Sequence, residues 1–342
     1  MNDPSTPEDL TSAWLAQALG KPVNGFEVER FGEGAGVIGQ VTRVHLDCEE
    51  PPRSIIAKFP SPAAENRAVA ATYDMYGREV RFYQNIASRV QMRTPACYYA
   101  AHDPATQDFV LLLEDLQGYR IGDQVAGCSA DEARAVVRAL AKFHASAWDP
   151  GDDLDLPSHN NPAQRDGMVA GFQAGWPVIM ERFSHLVPDA ALVAEKRMPE
   201  LTGALLTEMC TPPVSICHAD VRLDNVFFGD DEIFFVDWQS VCTSAPEQDL
   251  AYFVTQSVHP EAIPHQELLD LYYETLTGLG VTYERTRFER RYKVAALYLL
   301  DYAVVIAGTL DLANERGTQL AETLLGGSMR SLEAMGAFEL LK

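Results

Sequence analysis

A chain of 342 residues, 47% apolar and 22% charged, has the composition of a soluble globular protein and is long enough for two lobes that each bury a core. Its 49 Asp and Glu against 27 Lys and Arg give a formal charge of −22, a field that repels nucleic acid and anionic membrane, so neither is expected as a partner. The six cysteines, Cys48, Cys97, Cys128, Cys210, Cys217 and Cys242, contain no C-x-x-C pair, and the acidic N-terminus cannot serve as a secretory signal, so reduced thiols and a cytoplasmic location are expected.

In chain order, residues 11–19 read as a short amphipathic helix with Trp14, Leu15 and Leu19 on one side. Strands are expected at 26–31 and 41–46, and between them residues 34–41 spell G-x-G-x-x-G-x-V. Gly34, Gly36 and Gly39 would let backbone N–H groups approach phosphates in a glycine-rich hairpin, although a bare turn has the same composition. A dinucleotide fingerprint would instead need a helix after the last glycine. Residues 54–59 form an apolar strand carrying Lys58, whose ammonium is awkward beside Ile55, Ile56 and Phe59 unless it meets an anion such as nucleotide phosphate. A glutamate from the next helix, expected at 73–90, would hold the lysine, and Glu79 is the choice over Glu65.

The apolar run 109–113 reads as a last strand entering a hinge, where backbone groups of Glu114 to Leu116 would meet an adenine edge. A helix is expected at 131–148, with His144 on its inward face as a hydrogen-bonded core residue. The block from 160 to 213 reads as mostly helical, with segments at 168–183 and 189–209 that Pro177 and Pro199 should kink or split. Helices follow from Asp249 and at 265–279, 283–310 and 318–341, after a loop at 242–247. The most apolar run, 294–310, contains Asp301 and reads as a buried helix rather than a membrane span.

The densest chemistry lies in His218-Ala-Asp220-Val-Arg-Leu-Asp-Asn225, followed by apolar runs 226–228 and 233–236 around Gly229, Asp230, Asp231 and Glu232. That composition predicts a hairpin in which Asn225 and Asp237 are cross-strand partners, with Cα atoms roughly 4.5–5.5 Å apart. An amide and a carboxylate at that separation suit a hard cation such as Mg²⁺, which takes phosphate and water in its remaining positions. The His-x-Asp-x-x-x-x-Asn arrangement is the one that phosphoryl-transfer enzymes of the protein-kinase type use in their catalytic loop.

With Lys58, Glu79, Asp220, Asn225 and Asp237 in this order, the chain resembles the protein-kinase-like phosphotransferases. It looks most like the aminoglycoside phosphotransferase and ecdysteroid-kinase-like (CHK-like) branch, over residues 26 to 260. The resemblance implies an α+β bilobal fold: a nucleotide-binding N-lobe at 1–116, with an antiparallel five-stranded sheet plus a helix, and a mostly helical C-lobe at 117–342. The C-lobe would be catalytic and acceptor-binding, with a helical insertion at 157–213. The cofactors implied are ATP or GTP and Mg²⁺. Carried over by position, Asp220 is the catalytic base, Asn225 and Asp237 hold metal, Lys58 with Glu79 positions phosphates, and Asp249 braces the catalytic loop.

Ala219 stands where related small-molecule kinases often have Gly, and Trp238-Gln239 replaces the Phe-Gly that follows the metal Asp in protein kinases. Asp249 follows Asp237 by only twelve positions, too few for a long peptide-binding activation segment. The expected activity is therefore Mg-assisted phosphoryl transfer from ATP to a hydroxyl of a small molecule, with an aminoglycoside, steroid or other alcohol as acceptor. A steroid would suit Trp176, Tyr298 and Tyr302 if these line the cleft. The alternatives are a catalytically silent nucleotide-binding module and an unrelated metal hydrolase. The oligomeric state is left open.

Overall fold

The computed structural model describes residues 3–31, 38–151, 153–230, 232–310 and 312–342. The chain forms two compact units, one of Met1–Ser88, Arg93–Tyr119 and Phe234–Ser240, the other of Arg89–Met92, Arg120–Ile233 and Val241–Lys342.

In the first unit Thr11 accepts the N–H of Trp14 (3.1 Å) and starts α1 (Ser12–Leu19), which Gly20 ends in the left-handed conformation. The chain continues through β1 (Gly25–Arg30), β2 (Gly39–Asp47), β3 (Ser54–Pro60), α2 (Ala64–Thr72), α3 (Met75–Arg81), β4 (Cys97–Asp103) and β5 (Asp108–Glu114). The strands form one antiparallel sheet in the order β1-β2-β3-β5-β4. Alternation along β3 decides what each face does: Ile55, Ala57 and Phe59 join Trp14 and Leu15 in one core cluster, which sends Lys58 to the opposite face. Lys58 sits there between Val41 of β2 and Leu111 of β5.

Two features of this unit were not read from the pattern. Strand β4 has six half-buried residues in succession, so no alternation marks it. The helix expected at 73–90 runs from Met75 to Arg89, and just ahead of it Asp74 breaks the helical path by taking a left-handed conformation (φ 51°) that a short polar side chain tolerates. A separate α2 precedes that break, and α3 runs on through a wider turn at Phe82–Ile86.

The second unit contains β6 (Arg120–Ile121), α4 (Ala130–Ser146), α5 (Pro162–Arg182), α6 (Ala194–Met209), β7 (Ser215–Cys217) and β8 (Val226–Phe228). Ser129 and Glu132 close a capping box on α4, and Asn161 caps α5 ahead of Pro162. After β9 (Ile233–Phe235) come β10 (Cys242–Ser244), α7 (Glu247–Ser257), α8 (His265–Gly278), α9 (Arg285–Thr309) and α10 (Glu315–Ala334). The turn between β8 and β9 is closed by Gly229 N–H donating to the Glu232 carbonyl (2.8 Å), while Asp231 lies outside the described residues.

Pro177 and Pro199 split neither helix. The carbonyls they leave without an N–H partner belong to Gln173 and Glu195, both exposed, so water can take the bond. Residues 242–244, expected as loop, pair as β10 with β7. Helix α9 is long and apolar enough by composition to cross a membrane, but 67% of that window is buried inside the protein. It packs backbone to backbone on α5, where a Cβ on Gly175 would stand 2.6 Å from the Val304 carbonyl oxygen. The architecture is thus mixed: a five-stranded antiparallel sheet early in the chain and a mostly helical remainder.

Candidate active site

In the first unit Lys58, Glu79 and Asp237 meet. The Lys58 ammonium donates to both carboxylate oxygens of Glu79 (2.7 Å each) and to Asp237 Oδ1 (2.9 Å). Burial alone would lower the lysine pKa, but the charges of Asp237 and Glu79 outweigh it and hold the ammonium above its ordinary value. Burial pushes the Glu79 carboxyl up; Lys58 draws it down, and the like charge of Asp237 adds to the rise. Glu65 is exposed in the first turn of α2, so Glu79 is the lysine's partner.

Trp238 fixes this constellation from behind. Its indole stacks on Phe82 with ring centroids 3.7 Å apart, and its Nε1–H donates to the Phe235 carbonyl (3.1 Å). Gln239 donates to Asp237 Oδ2 (3.3 Å), and Asp237 itself is left-handed (φ 68°). The Trp-Gln pair that departs from Phe-Gly therefore fills a buried slot and tethers the preceding carboxylate.

In the second unit the segment after β7 is held from below by Asp249 of α7. That fully buried carboxylate accepts the backbone N–H groups of His218 (2.7 Å) and Ala219 (2.8 Å) and contacts His144 Nε2 (3.1 Å), whose Nδ1 meets the Tyr272 hydroxyl (2.7 Å). His144 is thus the core residue expected, one step behind the loop. His218 Nδ1 accepts the N–H of Asp220 (3.3 Å). His144, Cys217 and Asp249 offer ligand atoms within 4.8 Å of one another, but they are fully buried, and the hydrogen bonds of His144 and Asp249 make this a brace.

Above the brace, Asn225 Nδ2 donates to both the backbone oxygen and Oδ2 of Asp220 (3.0 Å each). With its N–H groups spent there, the amide offers its oxygen to a cation, so Asn225 fits a hard-metal ligand. In the first unit, Asp237 offers a carboxylate, also a ligand type that hard cations take. Arg222, which the sequence reading passed over, brings Nε to 3.7 Å from Asp220 Oδ2. Its signal was available: it lies inside the motif, two residues past the acid.

Other expected site residues are placed as follows. Gly34 and Gly36 lie outside the described residues; Gly39 opens β2, where a Cβ would stand 3.1 Å from the Phe59 carbonyl. Glu114 ends β5 with its N–H donated to the Ala96 carbonyl (2.8 Å), and the Leu116 carbonyl accepts the Tyr119 N–H (3.1 Å). Trp176 and Tyr298 are buried, 2% and 0% exposed, and do not form an apolar wall open to a ligand. The Tyr298 and Tyr302 hydroxyls instead both accept from Gln164 Nε2 (2.9 and 2.8 Å).

The second unit also holds a cavity of about 380 Å³ lined by Val125, His185, Leu186, His259, Gln319, Glu322, Thr323 and Arg330. Only two of these are apolar. The cavity does not include Asp220, but its edge is tied to the same loop: the N–H of Gln124, next to Val125, donates to Asp224 Oδ1 (3.1 Å).

A family model described as the phosphotransferase enzyme family matches residues 37–288. No curated protein sequence matches this one. Among solved structures, a microcompartment-associated aminopropanol kinase is similar over 95% of this chain and 98% of its own, at 12% identity and a TM-score of 0.59. A choline kinase from Cryptosporidium parvum is similar over 98% and 95%, at 12% identity and 0.56. The GDP complex of aminoglycoside 2′-phosphotransferase-IIIa is similar over 94% and 99%, at 13% identity and 0.54. At such identities the likeness to these structures is one of fold.

Proposed function

The chain belongs to the phosphotransferase enzyme family, and on that premise we propose that it transfers the terminal phosphoryl group of ATP to a hydroxyl of a small polar molecule. Lys58, held by Glu79, binds nucleotide phosphates, with the Gly34, Gly36 and Gly39 stretch covering them and the Glu114 to Leu116 backbone beside the base. Asn225 through its amide oxygen and Asp237 through its carboxylate would hold Mg²⁺, which when bound neutralises charge on the phosphates. Asp220 accepts the proton of the acceptor hydroxyl as its oxygen bonds to the phosphorus and ADP leaves.

The observation that carries this reading is the hold of Asn225 on Asp220: Nδ2 of one amide fixes the carboxylate proposed as base, which leaves the amide oxygen to serve a cation. The acceptor in this reading is a polar alcohol rather than a steroid, since Trp176 and Tyr298 are enclosed and offer no apolar wall. The aminopropanol and choline kinases of similar fold make amino alcohols the first compounds to try.

The test is ADP release from Mg·ATP, and GDP release from Mg·GTP, with amino alcohols, sugars and aminoglycosides as acceptors. Release should depend on an acceptor, and Asp220→Asn should bind Mg·ATP as the native protein does while transferring at least ~100-fold more slowly. Acceptor-independent release, or undiminished turnover in Asp220→Asn, would overturn the proposal.

A further inference from the structure

Helix α7 presents two residues, three positions apart, to the loop that carries Asp220. Asp249 takes the backbone N–H groups of His218 and Ala219. One turn further along, on the same face, stands Tyr252, 1% exposed. As Asp249 serves residues 218 and 219, the next turn brings the Tyr252 phenol beside residue 220, whose charge acts on it directly.

The ring has little freedom to turn elsewhere. Its edge meets the ring of Tyr302 at 6.3 Å and 67°, and the Tyr302 hydroxyl is held by Gln164 (2.8 Å), which also holds Tyr298 (2.9 Å). The charged and polar groups facing this corner are Asp220, Arg222, Asn225 and Tyr302. Burial pushes the Tyr252 phenol well up; Asp220 adds to the rise and Arg222 opposes it, so the hydroxyl keeps its proton and is a donor. On the Asp220 carboxylate, Asn225 Nδ2 and the more distant Arg222 Nε (3.7 Å) both approach Oδ2, and contacts to one oxygen alone hold a carboxylate's rotation about its Cβ–Cγ bond less firmly than contacts to both.

We propose that Tyr252 is a positioning residue for Asp220, its hydroxyl acting with the Asn225 amide to fix the carboxylate in the orientation that receives the acceptor's proton. The inference rests on the proposed phosphotransfer reading for its kinetic consequence, but the contact itself does not. Tyr252→Phe removes only the hydroxyl. It should lower kcat about tenfold, the scale of one lost hydrogen bond, with KM for Mg·ATP and the thermal midpoint unchanged. In the Asp220→Asn background the same change should have no further effect, because the group it positions is gone. An unchanged kcat, or an equal loss in both backgrounds, overturns the proposal.

A second measurement needs no turnover. With ¹³Cζ-labelled tyrosine, the Tyr252 signal, assigned by its loss in Tyr252→Phe, should shift in Asp220→Asn. A signal that stays in place overturns the contact. If no acceptor is phosphorylated by the native protein, the proposed function falls, and the spectrum still decides whether Tyr252 and Asp220 interact.

Discussion

Ala219 donates its N–H to Asp249 Oδ1 at 2.8 Å while its backbone stands in the left-handed region at φ 63°. A side chain with a Cβ costs about 1–2 kcal/mol in that region, and a charge-assisted bond to a buried carboxylate is strong enough to offset it. Glycine is at home there, since it has no Cβ to clash. Ala219→Gly relieves the strain but adds about 0.5–1 kcal/mol of freedom to the unfolded chain, so its stability should stay within about 1 kcal/mol of native, with activity kept. Ala219→Val, β-branched in the same conformation, should lose more than ~1 kcal/mol. Urea midpoints of the two variants decide it: a valine protein as stable as the native one would mean that the loop does not hold this φ.

The ion cluster around Lys58 makes a prediction in which pH separates charge from packing. Lys58→Met leaves Glu79, 1% exposed, without its counter-charge and should cost about 3–5 kcal/mol. Glu79 is already held above the usual carboxylate range by burial, and without the ammonium it rises further. An acid whose folded pKa exceeds its unfolded one keeps its stability below the unfolded value and loses it as pH rises toward the folded value. The deficit of Lys58→Met should therefore be larger at pH 8 than at pH 5 by urea unfolding. Equal deficits would mean that Glu79 stays charged and finds another donor.

What the sequence disclosed here was chemistry at fixed spacing and strong alternation. Lys58 was legible because a charge in an apolar strand is anomalous, and Glu79 because a helix had to supply its partner; the two lie 2.7 Å apart. Asp220 and Asn225 were legible because the motif fixes their separation, and the structure joins them by the Asn225 amide. Elements set by tertiary pairing were not legible. Strand β10 exists because Cys242 to Ser244 find β7, and β4 because β5 offers an edge, and neither shows a period of its own. Pro177 and Pro199 do not split their helices, and the carbonyls they orphan belong to exposed residues that water can reach. Trp176 and Tyr298 misled because an aromatic at helical spacing is core far more often than ligand wall.

Asp301 carries the last prediction. It sits on α9 with no exposed surface; Thr202 Oγ1 donates to Oδ2 (2.9 Å), while Oδ1 has no hydrogen-bond partner among the described residues. Burial pushes its pKa to about 8, with the Thr202 bond pulling the other way. Below the ordinary Asp value near 3.9 both folded and unfolded chains are protonated here, and nothing is lost. Between that value and 8 the unfolded chain is ionised while the folded one holds a proton, so folding takes one up and stability falls by about 1.4 kcal/mol per pH unit. Above 8 the loss is complete. Asp301→Asn keeps an oxygen for Thr202 and removes the titration. Urea unfolding of both proteins at pH 5 and pH 8 should give the native protein the steeper fall, with the difference between the two narrowing or reversing in favour of the variant at pH 8. Parallel falls would mean that the carboxyl stays charged in the fold, with water or a cation on Oδ1.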